Sequence, residues 1–286
     1  MRIAFATCSE LPAGFEDDWA AAALLDAEYR VWSDRAVDWS VYDRVVVRST
    51  WDYTPHRDEF VAWAYRVGRD RLRNPPELLE VNSDKVYLRD LGVPTVPTVF
   101  VAPGESAPAL SGEVVVKPTV SAGGRDTGRF VPSAHAAARS LIGAITASGR
   151  TAMVQPYLTG VDELGETALV FLGGELSHVL HKKPVLRSPG IAPLVNEGSD
   201  YAAAAVMFDE DLVTPGSADA AQQALAQQVI EVITAQFGTP VYARVDLVPG
   251  PDGGPVVIEV EAVEPCLYLD TAPGSPERLA AAVLAS

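Results

Sequence analysis

Two segments of the chain gather side chains that could manage phosphate and a hard cation. The first is Val241-Tyr242-Ala243-Arg244-Val245-Asp246-Leu247-Val248, followed after Pro249-Gly250-Pro251-Asp252-Gly253-Gly254 by Pro255-Val256-Val257-Ile258-Glu259-Val260-Glu261-Ala262. Alternating apolar runs around a Pro/Gly-rich turn predict an antiparallel hairpin. Val241, Ala243, Val245 and Leu247 then share a core face with Val256, Ile258, Val260 and Ala262, while Tyr242, Arg244, Asp246, Val257, Glu259 and Glu261 face the other way. Glu259 and Glu261, two positions apart, would lie roughly 6–7 Å from each other on one face. Asp246 comes close on the neighbouring strand, and magnesium is the natural compensation for three such carboxylates. The solvated face of an amphipathic hairpin would show the same alternation.

The second segment is Val114-Val115-Val116-Lys117-Pro118-Thr119-Val120-Ser121-Ala122-Gly123-Gly124-Arg125. An apolar strand delivers Lys117 just before a loop of small residues, whose backbone N–H groups can approach anionic oxygens closely. A half-desolvated lysine there calls for an anion. The segment lacks the Walker spacing, and a surface turn after a snorkelling lysine has the same composition.

These segments sit in a chain of 286 residues, long enough for two or three lobes around a cleft. Ile3–Cys8, Tyr29–Trp32 and Arg44–Ser49 read as buried strands, with Asp17–Ala27 and Arg57–Val67 as helices, which makes an N-terminal α/β lobe over residues 1–75. Arg73-Asn74-Pro75-Pro76 breaks the pattern and marks a boundary. A central lobe, 76–160, carries a helix near Asp84–Leu91, strands at Thr95–Val101, Glu113–Lys117 and Thr151–Gln155, and a helix at Ser133–Ser148. A C-terminal lobe, 161–286, carries strands at Glu166–Leu172 and Glu175–His181, a helix at Ala218–Phe237, the hairpin, and a last helix after Ser275-Pro276-Glu277.

Composition narrows the function classes. A net charge of −16 repels nucleic acid and anionic membranes, so any bound nucleotide must be held by locally placed cations. The two cysteines, Cys8 and Cys266, have no metal-type or redox-type spacing. Met1–Glu10 is too short for a leader or a span, and a cytoplasmic enzyme is the expectation. Ser49-Thr50-Trp51-Asp52-Tyr53 follows a strand, at the end that faces the ligand crevice in open α/β sheets. Thr50 and Asp52 are therefore expected to touch substrate, with Trp51 and Tyr53 packing between lobes. His178 and His181 fall on opposite strand faces and cannot form a zinc pair. Tyr201–Phe208 reads as core or a lobe contact.

The order of Lys85, Lys117 with its glycine loop, Gln155-Pro156-Tyr157-Leu158, Arg244-Val245-Asp246 and Glu259-Val260-Glu261 resembles the ATP-grasp superfamily over about residues 75–265. The resemblance implies an α/β fold with α+β lobes: an N-terminal Rossmann-like lobe preceding two further lobes that hold the nucleotide between them. It assigns Lys85 and Lys117 to the phosphates of ATP, and Ser121, Gly123 and Gly124 to a closing loop. Gln155, Tyr157 and Leu158 become the adenine hinge, and Glu166, or Asp162 or Glu163, accepts the ribose hydroxyls. Asp246, Glu259 and Glu261 become ligands of Mg²⁺, with Arg244 on the transferred phosphate.

Further runs, among them Arg48–Tyr53, Asn82–Lys85, Gly165–Thr167, Ser177-His178 with Lys182–Pro184, and Glu261–Pro265, are similar to a glutathione-synthetase-like branch. That branch includes the cyclo-ligase that closes O-ureido-D-serine in cycloserine biosynthesis. The chain departs from the pattern where Glu261 replaces the usual Asn ligand, and where Thr167 and Ala168 stand in place of an arginine. The missing contact shifts to Lys182, Lys183 or Arg187. The implied activity is a carboxylate–amine ligase working through an acyl phosphate on an amino-acid-like substrate. Cyclisation, intermolecular amide formation, a kinase and a non-catalytic nucleotide-binding protein all stay open, and a homodimer is the default assembly.

Overall fold

A computed structural model describes residues 1–286. Ile3–Thr7 and Arg44–Ser49 pair in parallel, flanked by Glu28–Val31 and Leu72–Arg73, as a four-stranded sheet. Unbroken apolar runs are what such a sheet requires, because helices or other sheets cover both its faces. On one face the helix Arg57–Val67 buries Phe60, Trp63, Ala64 and Val67, a helical spacing of apolar residues, against Ala4, Ala6, Val45 and Val47.

The central sheet is antiparallel, in the order 190–191, 128–130, 114–118, 152–156, 99–101. Helix His135–Ala147 covers it with Ala138, Leu141, Ile142 and Ile145, and Val101, Val114, Val116, Phe130 and Val154 complete a core of its own. The segment near Asp84–Leu91 forms only a short 3-10 turn, Lys85–Arg89, begun by the Asp84 side chain accepting from Val86 N–H.

The third sheet runs 213–215, 175–182, 166–172, 242–249, 255–261. Helix Ala220–Phe237 starts at a capping box between Asp219 and Gln222 and packs Leu225, Val229, Ile230 and Ile233 on Ala243, Val245 and Leu247. The opposite face of this sheet is also buried. Ala168, Val170, Leu180 and Tyr242 merge with Ile3 and Phe5 of the N-terminal sheet, with Ala21 of the helix Trp19–Leu24, and with Leu279 and Val283 of the last helix, Ser275–Ala285.

The run Arg73-Asn74-Pro75-Pro76 carries a buried residue, and the hairpin departs from its expected alternation. Asn74, in the run read as a boundary, is buried: its amide donates to the carbonyls of Tyr242 and Ala262 and accepts from Val241 N–H. In the hairpin, Asp246 pairs with Glu259 and Leu247 with Val257, so Ile258 is an extra, bulged residue. The bulge reverses the alternation beyond it. Val257 joins the core, while Val256 and Ile258 turn to the other side and pack near Val96, Val161 and Val248. Tyr242 is likewise fully buried, donating from its hydroxyl to the carbonyls of Val47 and Val263.

Candidate active site

A cavity of about 410 Å³ opens between the central and C-terminal sheets and reaches the carboxyl end of the N-terminal sheet. One end is apolar, lined by Val96, Val115, Leu158, Val161, Val248 and Ile258, with Pro156 and Tyr157 from the end of the strand Ala152–Pro156. This slot suits a flat aromatic base, and the bulge at Ile258 helps to build it. The Gln155 amide donates to Thr98 Oγ1 at 2.8 Å.

The other end is charged. Lys85 Nζ donates to Ser121 O at 2.7 Å and lies 3.0 Å from Glu259, so it ties the glycine loop to the acidic strand. Arg244 grips Asp246 through two bonds of 2.8 and 3.0 Å, contacts Glu261, and donates to Cys266 O at 2.8 Å. Lys182 sits 2.6 Å from Asp246 and 3.0 Å from Glu166. Lys117, at the end of the strand Val114–Pro118, lines the same space and forms no ion pair. Burial holds its pKa below the ordinary lysine value, and Lys85 and Lys182 push the same way.

Burial opposes ionisation of Asp246 and Glu259, yet Arg244 and Lys182 outweigh it at Asp246, and Lys85 and Lys117 at Glu259; both carboxyls lie below their usual range. Glu261 is different. Burial, with Glu259 and Asp246 as like-charged neighbours, pushes it up to about 7 despite Arg244. Asp246, Glu259 and Glu261, carboxylates on two adjacent strands, are hard oxygen donors of the kind magnesium takes.

The loop Ser121–Gly124 lies over this charged end. Gly123 and Gly124 have positive φ, and an added Cβ at Gly123 would meet Ala203 at 2.7 Å. Ala204 N–H donates to Gly123 O at 2.7 Å. The 201–208 segment roofs the cavity, with Tyr201, Met207 and Phe208 lining it, and of the two expected roles it takes the contact between distant parts of the chain, Tyr201 stacking on Trp51 at 5.9 Å.

Across 262 residues the chain is 36% identical to the cycloserine biosynthesis protein DcsG of Streptomyces lavendulae, covering 86% of this chain and 83% of that one. It belongs to the DcsG family of ATP-grasp ligases. Residues 3–74 match the family model described as the N-terminal domain of D-cycloserine synthetase DcsG. A crystal structure of D-cycloserine synthetase DcsG superimposes with a TM-score of 0.84 at 33% identity, over 99% of this chain and 98% of that one. The fold alone extends further. An ATP-grasp RimK domain protein from Sphaerobacter thermophilus gives 0.63 at 16% identity, over 99% of each chain. D-alanine–D-alanine ligase from Bacillus anthracis, complexed with ATP, gives 0.57 at 12%, over 98% of this chain and 99% of that one. As a DcsG-family member the chain is an ATP-dependent ligase that forms a carbon–nitrogen bond. No helix is long and apolar enough to cross a membrane.

Within this DcsG-family cleft the structure gathers Lys85, Lys117, Ser121, Gly123, Gly124, Gln155, Tyr157, Leu158, Glu166, Lys182, Arg244, Glu259 and Glu261 around the cavity, with Asp246 held by Arg244 and Lys182. Other candidates fall outside the lining. Asp162 accepts from Tyr157 and Arg129, and Glu163 is exposed on the helix Gly160–Leu164. Of the three ribose candidates, Glu166 is the one that lines the cavity. Arg187 pairs with Asp209 at the surface, because its strand has ended and the chain has turned outwards. Thr50 and Asp52 are buried beneath Trp51 and Tyr53, the two that do line the space, and Asp52 accepts from Trp32 Nε1 at 2.6 Å. His178 Nε2 donates to Leu267 O, 2.7 Å away, as a structural residue. Sequence reasoning passed over Glu264 and Tyr268, which line the cavity just beyond the acidic strand.

Proposed function

We propose that this protein activates the carboxylate of an amino-acid-like substrate as an acyl phosphate, at the expense of ATP and with Mg²⁺, and that an amine nitrogen then captures the acyl group. The observation that carries the reading is Lys117: it is the one cation lining the cleft without a carboxylate partner, and it stands beside a glycine loop and opposite three carboxylates. A half-buried, unpaired ammonium is costly unless an anion neutralises it, and nucleotide phosphate is the anion that the surrounding site suits.

Asp246, Glu259 and Glu261 would hold magnesium, which when bound shields phosphate charge and aligns the transferred group. Lys85 and Lys117 would hold phosphate oxygens, and Arg244 would stabilise the charge that develops on the moving phosphoryl group. A bare carboxylate is a poor electrophile; once phosphorylated it has phosphate as its leaving group. The loop 121–124 and the 201–208 segment would keep water from that anhydride. We further propose three working lobes, 1–75, 76–160 and 161–286, with the nucleotide between the last two.

The substrate we favour is O-ureido-D-serine, cyclised to D-cycloserine, because the relatives covering nearly the whole chain are a cycloserine biosynthesis protein and a D-cycloserine synthetase. Its oxygen-bound nitrogen would attack the activated carbonyl of the same molecule, and the carbamoyl group, absent from the ring, would be lost by hydrolysis. The test is ADP release with Mg²⁺ and ATP, first with O-ureido-D-serine alone and then with amino acids singly and in pairs, with products weighed by mass spectrometry. ADP release with O-ureido-D-serine alone, together with a cyclised product, is the expected result. Release only with an acid and a separate amine would replace cyclisation by intermolecular ligation, and silence with O-ureido-D-serine would remove that substrate.

A further inference from the structure

The charges of the cleft can be matched one against another. Glu259 has Lys85, Glu166 has Lys182, Asp246 has Arg244 and Lys182, and Glu261 has Arg244. Glu264 lines the same cavity, is 9% exposed, and has no cationic partner within ion-pair distance. It is the mirror image of Lys117: a carboxyl shielded from water with its counter-charge missing.

Its backbone is held unusually firmly. Trp51 Nε1 donates to Glu264 O at 2.9 Å, Arg48 Nη2 to Pro265 O at 2.8 Å, and Arg244 Nη1 to Cys266 O at 2.8 Å. Three successive carbonyls are thus fixed by side chains from the N-terminal sheet and from the phosphate-handling strand. Tyr53 lines the same cavity beside Glu264. A side chain anchored in this way is preorganised, which is what a group that orients a small ligand needs. Its position is also specific: it lies three residues past Glu261, where the cleft meets the carboxyl end of the N-terminal sheet.

We infer that Glu264 is the acceptor for the α-ammonium group of the amino-acid substrate, and so sets both its orientation and the requirement for an amino group. The inference rests on the ligase reading above. In an α-amino acid the ammonium and the reacting carboxylate are separated by one carbon. A carboxylate directed at Arg244 and the transferred phosphate therefore brings its ammonium to a group adjoining Glu261, and Glu264 is the cleft carboxyl there that no protein cation already neutralises.

The experiment compares two acids, O-ureido-D-serine and its des-amino counterpart 3-(ureidooxy)propanoic acid, on the wild-type protein and on Glu264→Gln, following ADP release with saturating Mg²⁺ and ATP. The wild type should favour the amino substrate by about 10⁴–10⁵-fold in kcat/KM, the scale on which sites built for a polar group reject analogues lacking it. Glu264→Gln should lose that preference by weakening the amino substrate alone, leaving the des-amino acid and the KM for ATP unchanged. Equal losses on both acids, or a raised magnesium requirement, would make Glu264 part of the metal and phosphate machinery and overturn the inference. A wild type that does not discriminate overturns it without any variant. Should another acid prove to be the substrate, the same comparison is made with that acid and its des-amino form; a substrate with no amino group ends the inference and leaves the ligase standing, whereas silence with every acid ends both.

Discussion

The Lys182 ammonium lies 2.6 Å from Oδ2 of Asp246, inside the charged end of the cleft. A residue read from the sequence as a substitute substrate contact therefore already serves two carboxylates, since Glu166 is 3.0 Å away on the same nitrogen. Removing it strands buried negative charge. Lys182→Met is expected to cost about 3–5 kcal/mol of stability, the scale of breaking a buried pair from one side. It should show as a lowered thermal midpoint, part of which magnesium restores by supplying positive charge at Asp246. A midpoint unchanged from wild type would mean that this pair does not carry the structure.

Lys117 should behave in the opposite way. It has no ion pair to lose, so Lys117→Ala is expected to leave the thermal midpoint near that of the wild type while ligation slows by about 10²–10³-fold, the scale for deleting one preorganised donor to a developing charge. A large fall in the midpoint would show that its role is structural.

The same lysine gives a pH signature. Burial lowers its pKa, so the free protein loses the cation at a lower pH than an exposed lysine would. Because the charged form is the one that holds phosphate, kcat/KM for ATP should fall on the alkaline side with an apparent pKa below 10.5, the ordinary lysine value. Lys117→Arg should move that limb to higher pH; an unmoved limb would assign it to another group.

Asp246→Asn and Glu259→Gln each remove an oxygen anion from the proposed magnesium set. Turnover is expected to vanish in both, with circular dichroism unchanged, and chelation of magnesium should silence the wild type reversibly. Full activity in either variant would take the hairpin out of the active site.

Gly123→Ala tests the roof. The substitution asks a positive φ of a residue with a side chain, and it drives a methyl group to within 2.7 Å of Ala203. The loop and the 201–208 segment can then no longer lie together as they do. We expect a higher KM for ATP and more ADP released per product formed, as water reaches the activated acid. Tight coupling in the variant would show that this contact does not exclude water.

The comparison with the sequence is instructive at particular residues. Arg244, Asp246, Glu259 and Glu261 were legible because strand alternation works locally, and the register that sets Asp246 opposite Glu259 bears it out. One bulged residue, Ile258, defeated the same rule over the preceding turn of strand, since a two-residue period carries no mark of where it slips. The covering of the second sheet face was hidden for another reason. Tyr242 is polar enough to read as cleft-facing, yet its hydroxyl finds two buried carbonyls on separate segments. Asp162 and Glu163 lie near Glu166 in sequence but are divided from it by the turn at Gly165, so only Glu166 reaches the cavity lining. Glu264 could not be singled out at all, because what distinguishes it is the absence of a partner among residues scattered along the chain.

The shared core that joins Ile3 and Phe5 to Val170, Tyr242 and Leu267 has a mechanical consequence. It makes the N-terminal and C-terminal sheets a single frame, pinned again by Asn74 and Arg48. The central sheet, with its separate core beneath helix His135–Ala147, faces that frame across the cleft. Arg244, Asp246, Glu259 and Glu261 stand on that frame, and Lys117 with its glycine loop stands on the central sheet. A compound wedged between Tyr201 and Trp51 would part the 201–208 roof from the frame and inhibit the enzyme without resembling either the nucleotide or the acid.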